Sequence, residues 1–108
     1  MALDEPVLAE LIRVLKARKA ADPRTSYVAS LYVRGVDAIL KKIGEEATEL
    51  VIAAKNGDAR QLLHETADLW FHTLVLLTHQ ELELEQVLAE LKARFGRSGL
   101  EEKAARQT

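Results

Sequence analysis

Cysteine is absent from the 108 residues, so neither a disulfide framework nor a thiolate metal site is available, and any bound metal must be held by oxygen or imidazole. The same absence suits a reducing compartment, and a cytoplasmic location is expected. Only two prolines occur, Pro6 and Pro23, and β-branched alternation is nowhere sustained, so little interrupts a helical period. Long apolar runs are missing as well. The richest, 69–77, contains His72 and is far too short to span a bilayer. The amino-terminal stretch MALDEPVLAELIRVL has charges every few residues and no basic leader, so neither a signal peptide nor a membrane partner is expected. An excess of one charge is also lacking. A net charge of -2 gives no bulk attraction to nucleic acid, none is expected as a partner, and an anionic ligand would need a local site. There is no glycine-rich phosphate loop of the GxxxxGK[ST] type, and no Ser-His-Asp or Cys-His order that would point to a covalent nucleophile.

What is present reads as a single all-α domain of about five helices over 1–96, followed by a charged, small-residue tail over 97–108 expected to be mobile, with one helical turn near 100–105. Helix one, 5–20, has Asp4 as N-cap and an apolar stripe of Leu8, Leu11, Ile12 and Leu15. The stretch 21–25 breaks it around Pro23. Ser26 caps a short second helix, 27–34, which Gly35 ends. Helix three, 36–55, should bury Ile39, Leu40, Ile43, Ala47, Leu50 and Ala54 and stop at Asn56-Gly57. Asp58 caps helix four, which runs to His79 and is apolar nearly all round, as expected of a central or subunit-interface helix. Trp70 and Phe71 are read as core, His64 and His79 as surface. Helix five, 83–95, should turn Leu84, Val87, Leu88 and Leu91 inward and stop at Gly96. A chain of this size leaves about a third of its potential surface wet as a monomer, so dimerisation is expected to complete the bundle.

Two acidic clusters stand out. Glu45, Glu46 and Glu49 lie on helix three and Glu65 and Asp68 on helix four, five carboxylates within 24 residues. Carboxylates at i, i+3 share one helix edge, and the short Asn-Gly-Asp turn makes the two helices antiparallel neighbours. If both edges point inward, the carboxylates need a cation between them, and all-oxygen ligation selects magnesium, manganese or calcium. The bland alternative is a solvated face with Lys41 and Lys42 as partners for Glu45 and Glu46. The repeated spacing, the apolar residues flanking Glu65 and Asp68, and Gly44 beside the cluster weigh against it. A di-iron carboxylate bundle would need Glu-x-x-His pairs, and none occurs. His72, four residues after Asp68, is read as a donor supporting a metal-binding carboxylate or as a core histidine satisfied by an acid. The basic residues around the first loop, including Arg24, and Lys41 and Lys42 could form a rim for a polyphosphate.

The spacing Glu45-Glu46-x-x-Glu49, 15 residues, Glu65-x-x-Asp68 resembles the metal motif of the all-α, MazG-like nucleotide pyrophosphohydrolases. Ser26-Tyr27-x-Ala29-x-Leu31, Lys41-Lys42-Ile43-Gly44-Glu45-Glu46-Ala47-x-Glu49, Ala53-Ala54-Lys55, Ala67-Asp68-Leu69-x-x-His72 and Ser98-Gly99-Leu100-x-Glu102-Lys103 are similar to the phosphoribosyl-ATP pyrophosphatase family. Val28 stands where that family often has threonine, and Phe71 where it often has tyrosine. With no cysteine, the chain looks like the stand-alone form rather than a fusion to a cyclohydrolase.

The resemblance implies hydrolysis of phosphoribosyl-ATP to phosphoribosyl-AMP and pyrophosphate, the second step of histidine biosynthesis, with magnesium (manganese as the alternative) and a homodimer. By position it implies Glu46, Glu49, Glu65 and Asp68 as metal ligands and Glu45 as the acid that orients or deprotonates water. Lys42, with Lys41, Arg24 and Ser26, would meet the substrate, and His72 would support the ligands. A general nucleoside triphosphate pyrophosphohydrolase and a non-catalytic dimerisation module are the alternative readings.

Overall fold

The computed structural model describes residues 4–96 together with Arg106. Among them are five α-helices and no strand: α1 Asp4–Ala17, α2 Tyr27–Arg34, α3 Val36–Lys55, α4 Ala59–His79 and α5 Leu84–Lys92. The all-α expectation holds. The expected tail, apart from Arg106, lies outside the described residues.

Local signals set most of the boundaries. Ser26 is extended and its Oγ accepts the Ala29 N–H, so it caps α2 as its residue type favours. Gly35, at φ 94°, turns the chain from α2 into α3, a backbone state that side chains resist. Asp58 caps α4 by accepting from the Gln61 N–H at 3.0 Å. Asp58→Ala is expected to cost about 1 kcal/mol, read as a lower urea midpoint at unchanged slope. The left-handed turn residue between α3 and α4 is Gly57, φ 69°, whereas Asn56 stays right-handed. Helix one is shorter than its pattern: the α-helix ends at Ala17, and Arg18–Ala20 tighten into a 3-10 turn before Pro23.

α3 and α4 form the most extensive pairing, an antiparallel hairpin on which α1 and α2 lie. The core gathers Ile12, Leu15, Val28, Leu31, Ile39, Leu74, Val75 and Leu84, and Leu15, Leu31, Ile39 and Val75 are fully enclosed. Two ties close the periphery: the Tyr32 hydroxyl donates to the Leu15 carbonyl at 2.8 Å, and Lys16 meets Glu83 at 2.9 Å.

Four burial expectations are corrected. On α3 the buried residues are Ile39, Glu46 and Ala53, seven apart, while Leu40 and Ala54 face out. The inward line is therefore rotated toward the acidic edge. On α4, Trp70 is 58 % exposed, with Leu63 two turns away also exposed; of the Trp70–Phe71 pair only Phe71 packs on the core. On α5, Leu84 alone is buried and Val87, Leu88 and Leu91 stay open. Among the described residues no further element packs against these faces. His79 is half-buried rather than a surface residue, because its ring stacks on Tyr32 at 6.2 Å. No helix among the described residues is long and apolar enough to cross a membrane.

Candidate active site

The rotation of α3 is what builds the site. It carries Glu46 to 5 % exposure, opposite α4, where Glu65 is 4 % and His72 5 % exposed. Burying a carboxylate without full hydrogen bonding is costly, since its charged form loses water and gains nothing in return. Both acids are in that condition. Glu65 Oε2 accepts from the Gln61 side chain at 2.7 Å, but Oε1 of Glu65 and Oε1 of Glu46 are buried with no hydrogen-bond partner.

His72 stands beside Glu46. Its Nδ1 is 3.0 Å from the Asp68 carbonyl oxygen, one helical turn back, and 2.7 Å from Glu46 Oε1. The second contact is close but out of line for a hydrogen bond, which is why that carboxylate oxygen remains unpartnered. Nε2 is 2.7 Å from the Tyr27 hydroxyl. His72 is thus the buried histidine next to an acid that its spacing suggested.

The other acids sit at the mouth. Glu49 is exposed, and its carboxyl faces that of Glu65 closely enough that a proton shared with Glu65, then Glu65's charge, and then Glu45 and Glu46 behind it, hold its pKa above the usual carboxylate value. Crowding of like charge disfavours the ionised form in this way. Asp68, half-buried, meets His64 at 3.3 Å, so His64 is at the surface as expected but engaged. Glu45 and Lys41 are exposed and Lys42 half-buried; among the described residues neither lysine forms an ion pair with the acids. Burial raises the pKa of the Tyr27 hydroxyl, with Lys42 and Arg34 pulling it down and Glu46 and Asp68 pushing it up, so these five groups share one neighbourhood.

Two of the expected substrate residues lie to one side. Arg24 is on an exposed loop and gives its guanidinium to Asp22 at 3.0 Å. Ser26 spends its oxygen on the α2 cap and lines a cleft of about 400 Å³ with Arg18, Ala21, Thr25, Tyr27, Val28 and Phe71. A second cleft of about 210 Å³ opens between Glu49 and Glu65 at the Asn56–Asp58 end of the hairpin. Gly44 has open space around it, so the fold does not crowd the edge of the cluster.

Among the described residues no three His, Asp or Glu side chains are arranged to hold a metal ion as they stand. The donor set nonetheless fits one: two buried carboxylate oxygens lacking partners and a third acid whose proton affinity is raised are what a divalent cation would satisfy. Tyr27 and Gln61 are the site residues the acidic motif did not mark. Gln61 stands one turn before Glu65 and was open to a spacing argument; Tyr27 contacts a residue 45 positions away and was not.

A family model described as phosphoribosyl-ATP pyrophosphohydrolase matches residues 8–95. The chain belongs to the phosphoribosyl-ATP pyrophosphohydrolase family. The match takes in α1 from Leu8 onward and all of α2 to α5, including all five acids and His72. Relatives named phosphoribosyl-ATP pyrophosphatase include that of Hydrogenovibrio crunogenus, 55 % identical over 108 residues and 96 % of each chain. That of Methylococcus capsulatus is 58 % identical over 94 % of this chain and 96 % of its own, and that of Geobacter metallireducens 53 % over 94 % of each. The family resemblance carried by the two acidic clusters and by Ser26-Tyr27 is therefore upheld, and the chain is an enzyme of the hydrolase class.

Proposed function

We propose that this chain hydrolyses phosphoribosyl-ATP to phosphoribosyl-AMP and pyrophosphate, the second step of histidine biosynthesis. The reading is carried by one observation: the unpartnered, buried oxygens of Glu46 and Glu65, in a chain of this family. Glu46, Glu49, Glu65 and Asp68 would hold a divalent cation, magnesium in preference to manganese. When bound, such an ion neutralises triphosphate charge and lowers the pKa of water.

The remaining work falls to the chain's own side chains. Glu45, exposed beside Glu49, accepts a proton from the attacking water. Lys42, next to Tyr27, meets phosphate oxygens, with Lys41, Ser26 and Arg24 on the outer rim; Arg24 must first leave Asp22. His72 supports Glu46 from behind. No covalent intermediate is needed, so positioning and charge stabilisation supply the rate. The exposed Leu63 and Trp70 of α4 and the open leucines of α5 support a homodimer that covers them. The 1–96 domain with a 97–108 tail and a cytoplasmic location complete the proposal.

Incubation with phosphoribosyl-ATP and with ordinary nucleoside triphosphates, each with magnesium, tests the substrate. Faster release of pyrophosphate from phosphoribosyl-ATP is expected. Faster hydrolysis of the ordinary triphosphates would replace this reading with a general nucleotide pyrophosphohydrolase.

A further inference from the structure

Beside the acidic site lies the cleft of about 400 Å³, a volume within the range of about 300–1,000 Å³ usual for small-ligand sites. Tyr27 stands between the two. It lines the cleft, and its hydroxyl is 2.7 Å from His72 Nε2, next to Glu46. A molecule held by the acids can therefore reach past Tyr27 into the cleft.

The lining is of two kinds. Arg18, Thr25 and Ser26 bring a guanidinium and two hydroxyls, while Val28 and Phe71 bring apolar surface. Ser26 Oγ accepts the Ala29 N–H, which leaves its own O–H to donate. The Thr25 hydroxyl is 3.4 Å from the Asp22 carbonyl, too far to be held there. None of the described residues that line the cleft is acidic, so the set favours an anion.

The other basic side chains near the first loop are engaged or turned away. Lys16 meets Glu83 at 2.9 Å and Arg24 meets Asp22 at 3.0 Å. Arg18 forms no ion pair among the described residues. Its carbonyl accepts the Ala21 N–H at 3.1 Å, which closes the 3-10 turn and fixes its backbone beside the cleft.

Phosphoribosyl-ATP carries an anion that ordinary nucleoside triphosphates lack, the phosphate monoester of its second ribose. The reaction leaves that phosphate intact, and Glu45, Glu49 and Asp68 at the acidic mouth would repel it. It needs a cation elsewhere.

We propose that the cleft beside Tyr27 takes the phosphorylated second ribose of phosphoribosyl-ATP, with Arg18 as the specificity-determining residue that grips its phosphate and the Ser26 hydroxyl assisting. The inference rests on the substrate proposed above.

An arginine at the carboxyl end of a helix also suits the helix dipole. Lys19, in the same 3-10 turn but outside the cleft, serves that end equally, so Lys19→Met is the comparison for Arg18→Met. KM and kcat for phosphoribosyl-ATP with magnesium are measured for both variants and the unaltered chain, together with the constant for competitive inhibition by ATP. Arg18→Met should raise KM about 10- to 100-fold, the size of a lost hydrogen bond between charged groups. Its kcat and its ATP inhibition constant should not change. Lys19→Met should match the unaltered chain.

An unchanged KM in Arg18→Met would overturn the proposal. So would a fall in kcat at constant KM, or a parallel rise in the ATP constant, which would put Arg18 on the triphosphate. An equal rise of KM in Lys19→Met would reduce the effect to bulk charge and overturn it too. Absence of phosphoribosyl-ATP hydrolysis by the unaltered chain would instead bring down the proposed function, and the inference with it.

Discussion

Glu46→Gln is expected to melt higher than the unaltered protein when both are free of metal, and to lose more than about 100-fold in metal-dependent turnover. Both effects have one source. Glu46 is 5 % exposed and its Oε1 has no hydrogen-bond partner. A buried acceptor left in that state costs about 1–3 kcal/mol, and a carboxylate adds its charge to the cost. The amide keeps the shape and the need for partners but removes the charge, so the metal-free protein should gain the charge part of that cost alone. The same change removes an anionic ligand, and outer partners of ligands alone are worth about 10–100-fold. Thermal melts and steady-state assays with magnesium read the two halves. A variant that is less stable when metal-free would contradict the idea that the acid is strained while it waits for a cation; an active one would remove Glu46 from the ligand set. Natural sites that trade stability for activity behave in the expected way.

The second large effect is structural. Leu31 is fully enclosed on the inner face of α2, in the cluster with Leu15, Ile39 and Val75. Leu31→Ala should destabilise the chain by about 2–5 kcal/mol through lost burial and an unfilled cavity. At about 4–8 °C per kcal/mol for a domain near this size, the melting point should drop by at least about 8 °C. Chemical denaturation gives the free energy directly, and a loss below about 1 kcal/mol would mean that α2 is not anchored as described. The consequence reaches the site, because α2 begins at Ser26 and Tyr27. Activity should fall with the folded fraction, recovering on cooling.

Features that depend on neighbouring residues are legible in the sequence itself. The caps at Ser26 and Asp58 and the turns at Gly35 and Gly57 are short-range backbone chemistry, and the bounds of α2, α3 and α4 follow from them. The two acidic clusters were visible by spacing. What spacing could not deliver was the phase of α3. Sorting by hydropathy puts Leu40 inside and Glu46 on an edge, whereas the helix buries Glu46 and Ala53 and leaves Leu40 out. A functional acid in the interior runs against that sorting, and the misfit itself marks the site.

Trp70 and the leucines of α5 show a second limit. Hydropathy says that such side chains want covering, without saying whether the same chain or another does it. Tyr27 shows a third. Its partner is 45 residues away, and only the packing of α2 on the hairpin brings the hydroxyl to His72. The preceding Ser26 is expected both as the α2 cap and as a substrate contact, and its Oγ is observed at the cap.

The most direct test of the central claim, that Glu46, Glu49, Glu65 and Asp68 hold a divalent cation, is a calorimetric titration of manganese into the metal-free protein and into Glu46→Gln and Asp68→Asn. Saturable binding by the unaltered chain, accompanied by a rise in melting temperature through mass action, and loss of both in each variant, is the predicted result. Equal binding by all three, or none by the unaltered chain, would contradict it.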